Sequence, residues 1–374
     1  MKELIDILNA VDAFAPRGEP MALATIVSVR GSTYRRAGAR LLLTASQQMV
    51  GNISGGCLES DVMVVADEVM ASHTPRLATY DLTADDDAVW GLGLGCNGAV
   101  EVFVEPLDPA SAQLRVLREA IAGEQTVAIV KVLEGPAAGR WTAVRPGGAV
   151  EESLGDPTLE ARAVRAALAA VTEGSSRVVT MPSADGDVRA FVEVIRPPVR
   201  LVVCGAGHDA IPVVTFAAGI GWRVVVVDQR ERFLTPERFP GAGQFVRAEP
   251  ADAAAKAPLD DRTYVVVMTH NYLHDRDLLR GFLATPVRYI GMLGPRQRTE
   301  KILDELARDG MAVTAEDRVR IFGPIGLDIG GDGAEPIALA LLGEIQAVEA
   351  GRRGGFLRER QGPIHETKAV GGRS

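Results

Sequence analysis

The chain has 374 residues, 40 basic against 49 acidic side chains, and a formal net charge of -9. At roughly 150 residues per domain this length excludes a single small module and asks for two or three domains. A composition of 47% hydrophobic and 24% charged residues excludes disorder and fibres, and the acidic balance denies the positive field that a nucleic-acid or anionic-membrane binder needs, so neither partner is expected.

The opening segment MKELIDILNAVDAF, with Glu3, Asp6 and Asp12, reads as an amphipathic helix rather than a leader. No apolar run approaches the roughly eighteen residues that span a bilayer. The expectation is a cytoplasmic protein without a membrane anchor. Strands follow at Met21 to Val29 and Leu41 to Leu43. The segment GNISGGCLESDV then leads into a helix, followed by strands near Arg76 to Leu82 and Val100 to Glu105. A second series repeats the pattern: Thr126 to Leu133, Trp141 to Val144, LGDPTLEARAV leading into a helix, Arg177 to Met181, and Val188 to Ile195. Leu58-Glu59 falls on Leu159-Glu160, so residues 1–196 read as a mixed α+β domain holding a degenerate repeat of about a hundred residues, copies near 18–107 and 124–196.

The stiff pair Pro197-Pro198 marks a boundary. Beyond it, strand-like Leu201 to Cys204, a helical stretch to Ala218, Arg223 to Val227, Tyr264 to Met268, Leu278 to Leu283, Arg288 to Leu293 and Gln297 to Arg308 alternate. That pattern predicts an α/β, Rossmann-like doubly wound parallel sheet over 199–350. The Gly- and Arg-rich segment 351–374 has no apolar period and is expected to be a flexible tail.

Chemistry concentrates in copy one. The apolar period after Cys57 places Gly55, Gly56 and Cys57 at a helix N-terminus, where free amides and the helix dipole attract anions and favour a thiolate. Cys57 is therefore a candidate nucleophile or soft ligand. The stretch Gly91 to Gly98 carries Gly95 and Cys96 in a glycine-rich loop suited to close approach of a ligand. Copy two has Asp156-Pro157-Thr158 at the matching turn, so function is expected on copy one. The three cysteines Cys57, Cys96 and Cys204 suit a reducing compartment and free thiols. A thiol redox protein with a Cys57 to Cys96 disulfide is a lesser reading.

In the second half, Gly205 and Gly207 follow a strand, and Asp228 ends the next one. In context this is a dinucleotide-type fingerprint, the acid reading a ribose hydroxyl. NAD(P) or another nucleotide is the implied ligand, and an NAD(P)-dependent oxidoreductase the rival function. His270 sits at the carboxyl edge of its strand, where such sheets bind ligands, and His274 would complete a metal pair if both were helical. Arg296 suits a phosphate, and Gly330 and Gly331 open another amide-rich helix entry.

Taken in order, GNISGGCLESDV, YDLT with WGLGLGCNG, VVCGAGHDAIPVV, VVMTHNYLHD, YIGMLGPRQR and GLDIGG resemble the XdhC/CoxI family across nearly the whole chain. These are accessory proteins of molybdenum hydroxylases such as xanthine dehydrogenase and carbon monoxide dehydrogenase. The resemblance implies a chaperone rather than a stand-alone enzyme. It would bind the molybdenum cofactor, as molybdopterin or its dinucleotide form, support its sulfuration with a cysteine desulfurase, and deliver it to the apo-enzyme. The resemblance carries cofactor binding onto Gly55, Gly56, Cys57 and Glu59, and onto Gly95 and Cys96, with the Cys57 and Cys96 thiols near the molybdenum. The apolar excess makes a homodimer the expected assembly.

Overall fold

The computed structural model describes residues 1–81, 97–183 and 186–361, without the side chains of Ser32 and Asn97. It divides into two compact units, one ending at Pro198 and the other starting at Val199.

The first unit opens with α1 (Lys2–Phe14), which buries Leu4, Ile7, Leu8 and Val11 along one helical stripe. Copy one follows as β1 (Met21–Ser32), β2 (Arg40–Thr44), β3 (Met49–Gly51), α2 (Glu59–Ser72), β4 (Arg76–Asp81) and β5 (Asn97–Pro106). After α3 (Ala112–Ala122), copy two runs β6 (Val127–Val132), β7 (Trp141–Val144), β8 (Val150–Glu151), α4 (Pro157–Glu173), β9 (Arg177–Ser183) and β10 (Gly186–Ile195). The antiparallel sheets have the orders β3-β2-β1-β5-β4 and β8-β7-β6-β10-β9. Strand for strand these coincide, so the duplication read from the sequence is present in the topology.

Each copy lays its helix on one face of its own sheet. Ala22, Ala24 and Ile26, alternate residues of β1, meet Val62, Ala66 and Val69 of α2. In copy two, Ala128, Val130 and Val132 of β6 meet Leu159, Ala163 and Ala167 of α4. The opposite faces meet each other through Val27, Phe103, Leu133 and Phe191. Leu58 and Leu159, matched in the repeat, are each 2% exposed.

The second unit contains β11 (Arg200–Cys204), α5 (Ala210–Gly219), β12 (Arg223–Asp228), β13 (Gln244–Arg247), α6 (Ala253–Lys256), β14 (Thr263–Val267), α7 (Tyr272–Leu283), β15 (Tyr289–Met292), α8 (Arg296–Arg308), α9 (Ala315–Val319), β16 (Ile321–Phe322) and α10 (Ala334–Glu349). All five strand pairings are parallel, and the order is β13-β12-β11-β14-β15-β16. That is the Rossmann order 3-2-1-4-5-6. Helices α5 and α10 cover one face and α6, α7 and α8 the other. The run Val224 to Val227 is buried without alternation for that reason.

Within the segment expected to be a tail, 351–361 contains a 3-10 turn at Leu357–Glu359. Residues 362–374 lie outside the described residues. Among the described residues, no helix is long and apolar enough to cross a membrane.

Candidate functional site

Copy one turns from β3 into α2 through Asn52 to Leu58, with Ile53 and Leu58 buried as anchors. Ser54 ties the turn together: its hydroxyl donates to the Glu59 carboxylate and accepts from the amides of Gly56 at 3.0 Å and Leu58 at 3.1 Å. The Glu59 carboxylate also accepts from the amides of Ser54 at 3.0 Å and Ile53 at 3.4 Å. Burial works against its charge. The Ser54 hydroxyl and the amides of Glu59, Ser54 and Ile53 outweigh that and hold the Glu59 carboxyl below its ordinary value. Glu59 is thus turned inward as the latch of the loop.

What remains is an open amide surface. Among the described residues the amides of Gly55 and Cys57 have no acceptor. Gly56 has φ +108, a conformation that favours glycine, and a Cβ on either Gly55 or Gly56 would meet nothing within 4 Å. Cys57 is half-buried with a free thiol. The matching turn of copy two is closed by its own side chain. The Asp156 carboxylate caps α4, accepting from Thr158 at 2.7 Å and Leu159 at 3.3 Å, with Pro157 next. Gly95 and Cys96 lie outside the described residues.

In the second unit, a crevice of about 170 Å³ opens at the carboxyl ends of β11, β12 and β14, where the strand order reverses. Gly205, Asp228 and His274 line it together with Cys204, Arg230, Thr269 and Asn271. Gly205 has φ +114, and a Cβ there would stand 2.6 Å from the Met268 carbonyl oxygen, so the turn admits only glycine. Gly207 faces open space. Burial, with Asp228 and Asp275 nearby, pushes the Cys204 thiol up, which leaves it unreactive.

Asp228 does not stand free for a ribose hydroxyl. Its carboxylate accepts from the Ala206 amide at 2.7 Å, the Arg230 amide at 2.8 Å, and Arg230 Nε and Nη2 at 2.9 and 2.8 Å. Burial opposes its charge, but Arg230 and the two amides outweigh it and the carboxyl lies below its usual range.

His270 has φ +59 and precedes α7, whose N-cap is Asn271, so His270 and His274 do not form a pair within one helix. Its Nε2 stands 3.0 Å from Asp209 at the start of α5. Arg296 begins α8, exposed and without a partner among the described residues. Gly330 and Gly331, with φ +72 and +107, lead into α10, and a Cβ on Gly331 would meet Pro336 at 2.5 Å. His270, Arg296, Gly330 and Gly331 are not among the crevice walls. Arg230, Thr269 and Asn271, which do line it, were not singled out from the sequence. Arg230 lies two residues after the strand-ending acid, and that position was its one cue. Among the described residues no group of three or more His, Cys, Asp or Glu side chains is placed to hold a metal.

A family model described as the XdhC and CoxI family matches residues 15–81, which include the Gly55 to Cys57 turn. A second, described as the XdhC Rossmann domain, matches residues 201–345, and together the two take in more than half of the chain. The chain belongs to the XdhC/CoxI family. It is 29% identical over 345 residues to a protein of Bacillus subtilis (strain 168) named a probable xanthine dehydrogenase subunit, covering 90% of this chain and 95% of that one. It is 23% identical over 331 residues to the molybdenum cofactor insertion chaperone PaoD of Escherichia coli (strain K12), covering 88% and 84%. A crystal structure described as a xanthine dehydrogenase from Bacillus halodurans superposes with a TM-score of 0.74 at 28% identity, over 92% of this chain and 96% of that one. The XdhC/CoxI match thus falls on copy one of the duplication, and the XdhC Rossmann match contains every residue of the crevice.

Proposed function

We propose that this XdhC/CoxI protein is an accessory factor that binds the molybdenum cofactor at the Gly55-Gly56-Cys57 turn. It supports sulfuration of the cofactor beside a cysteine desulfurase and delivers it to an apo molybdenum hydroxylase such as xanthine dehydrogenase, working as a homodimer in the cytoplasm. The observation that carries this reading is the contrast between the copies: copy one presents unclaimed amides and a half-buried thiol where copy two is capped by Asp156. The relative named a molybdenum cofactor insertion chaperone supports it.

The turn suits such a group on its own chemistry. Open space over Gly55 and Gly56 admits a bulky anion, the Gly55 and Cys57 amides would donate to it, and the Cys57 thiol is a soft neighbour for metal or sulfur. When bound, the group supplies the molybdenum centre and an anionic pterin. Glu59 positions the turn through its inward bonds, while Gly95 and Cys96 belong to the proposed site by resemblance. The protein purified from a cofactor-producing host carries a pterin detectable as a fluorescent oxidation product, and Cys57→Ala, folded as judged by circular dichroism, loses it. Equal pterin in both removes Cys57 from the site.

A second reading, an NAD(P)-dependent oxidoreductase, is favoured by the crevice at the switch point of the parallel sheet. Against it, the sequence offers no obvious proton donor beyond His270, and His270 is paired with Asp209 and is not a crevice wall. Turnover of NADPH by the purified protein would restore this reading.

A further inference from the structure

The crevice in the second unit has apolar walls at Val227, Ala248, Pro250 and Leu278, with Asn271 and His274 among its polar lining. Its volume of about 170 Å³ is below the range of roughly 300 Å³ and more that encloses a whole ligand. That volume matches a flat base and part of a sugar, and Gly207, where a Cβ would meet nothing within 4 Å, leaves room beside it for the remainder of a larger ligand. The sugar corner at the end of β12 decides which nucleotide fits.

A ribose diol donates two O–H groups and needs a carboxylate with free lone pairs, of which a carboxylate has about four. Asp228 already accepts four hydrogen bonds, three of them from Arg230. The corner therefore offers donors. The Arg230 guanidinium lies 4.3 Å from the Phe233 ring, and the guanidinium groups of Arg232 and Arg238 lie 5.0 and 5.1 Å from the same ring. Three cations thus gather round one aromatic side chain. Among the described residues Asp228 is the only carboxylate paired with any of them, Arg238 giving its Nε to the Ala206 carbonyl. Arg230 of this group lines the crevice and the other two stand behind it at the Phe233 ring, and such a gathering of like charges, partly exposed, is complementary to an added anion.

We propose that the crevice binds a nucleotide whose ribose carries a 2′-phosphate, read by Arg230 with Arg232 and Arg238, in preference to one with a free diol. Asp228 is then a positioning residue. It holds the glycine turn through the Ala206 amide and fixes the plane of Arg230. The inference goes beyond the cofactor-chaperone reading and is independent of it, since pterin retention at Cys57 and nucleotide binding in this crevice can succeed or fail separately.

The test is titration of the full-length protein with NADPH and NADH, followed by nicotinamide fluorescence, and with 2′-AMP and 5′-AMP by calorimetry. The phosphorylated ribose binds tighter by roughly tenfold to a hundredfold, the range for a hydrogen bond to a charged group. Arg230→Ala abolishes the preference and strengthens NADH binding, because it frees lone pairs on Asp228. Arg232→Ala and Arg238→Ala weaken NADPH and leave NADH unchanged. NADH binding at least as tightly as NADPH, an unaltered preference in Arg230→Ala, or no binding of any of the four compounds overturns the proposal.

Discussion

Glycines that look alike in the sequence answer to different constraints. At Gly56 the backbone has φ +108 but a Cβ would meet no neighbour, whereas at Gly205 φ is +114 and a Cβ would stand 2.6 Å from a backbone oxygen. Gly56→Ala therefore carries only conformational strain, about 1–3 kcal/mol. Gly205→Ala adds a clash that backbone must relieve. Chemical denaturation of the two variants will give a modest loss for Gly56→Ala and a larger one for Gly205→Ala. Equal losses would mean that the glycine turn after β11 is softer than its contacts imply. The same scale explains why Glu59 serves the site from behind: its carboxylate is consumed by the turn that exposes the Gly55 and Cys57 amides.

At the scale of elements, α10 is clamped to the parallel sheet by two phenols, Tyr264 donating to Glu349 and Tyr289 donating to Glu344 at 2.5 Å. Burial first, and the facing carboxylates second, push both phenols well above their ordinary range. In the unfolded chain a tyrosine ionises near pH 10, while the buried phenols keep their protons. Their contribution is fully present below about pH 10 and is lost as pH rises beyond it. Denaturant midpoints will accordingly hold up to about pH 10 and fall between about pH 10 and pH 12, and a Tyr264→Phe, Tyr289→Phe double variant will fall less steeply from a lower start. A variant with the wild-type slope would assign the alkaline loss to other groups.

Elements of this kind were readable where burial follows a period. Leu4, Ile7, Leu8 and Val11 stripe α1, and β1, buried on both faces from Met21 to Val27, stands out as a nearly unbroken apolar run instead. The strands β3, β8 and β16 were not read, because they are two or three residues long and none of their residues is buried. They exist through their partners. Helix α3 did carry a readable cap, Ser111 accepting from Leu114, that went unused. At the proposed sites, the placement of Gly55 and Cys57 before α2, of Gly205 after β11 and of Asp228 at the end of β12 was legible in the sequence. The saturation of Asp228 was not, because it depends on the fold of Arg230 back onto the carboxylate and on the Ala206 amide, which only the glycine turn after β11 brings to it.

On the scale of the whole molecule, duplication explains why one turn can be spared for chemistry. Copy two repeats the architecture with a capped turn, and the faces that meet between the copies hold the first unit together, so copy one's turn need not be optimised for stability. That meeting face is not purely apolar. Lys131 of copy two donates to Glu105 of copy one and Arg40 of copy one donates to Glu193 of copy two at 2.5 Å, all four being nine-tenths buried or more. Burial pushes the Lys131 ammonium down even though Glu105 pulls it up. Such a pair owes its persistence to mutual neutralisation, so removing one member is far worse than removing both. Among the described residues Lys131→Met leaves the buried Glu105 side chain with only Gln113 to donate to it, at 3.4 Å, and will cost roughly 3–5 kcal/mol in urea unfolding. Adding Glu105→Leu to the same chain will return most of that loss, a coupling of opposite sign to the single effects. If the double variant is as unstable as Lys131→Met alone, the pair is not the unit that joins the copies, and the Arg40–Glu193 pair with the apolar contacts of Val27, Phe103, Leu133 and Phe191 carries the junction.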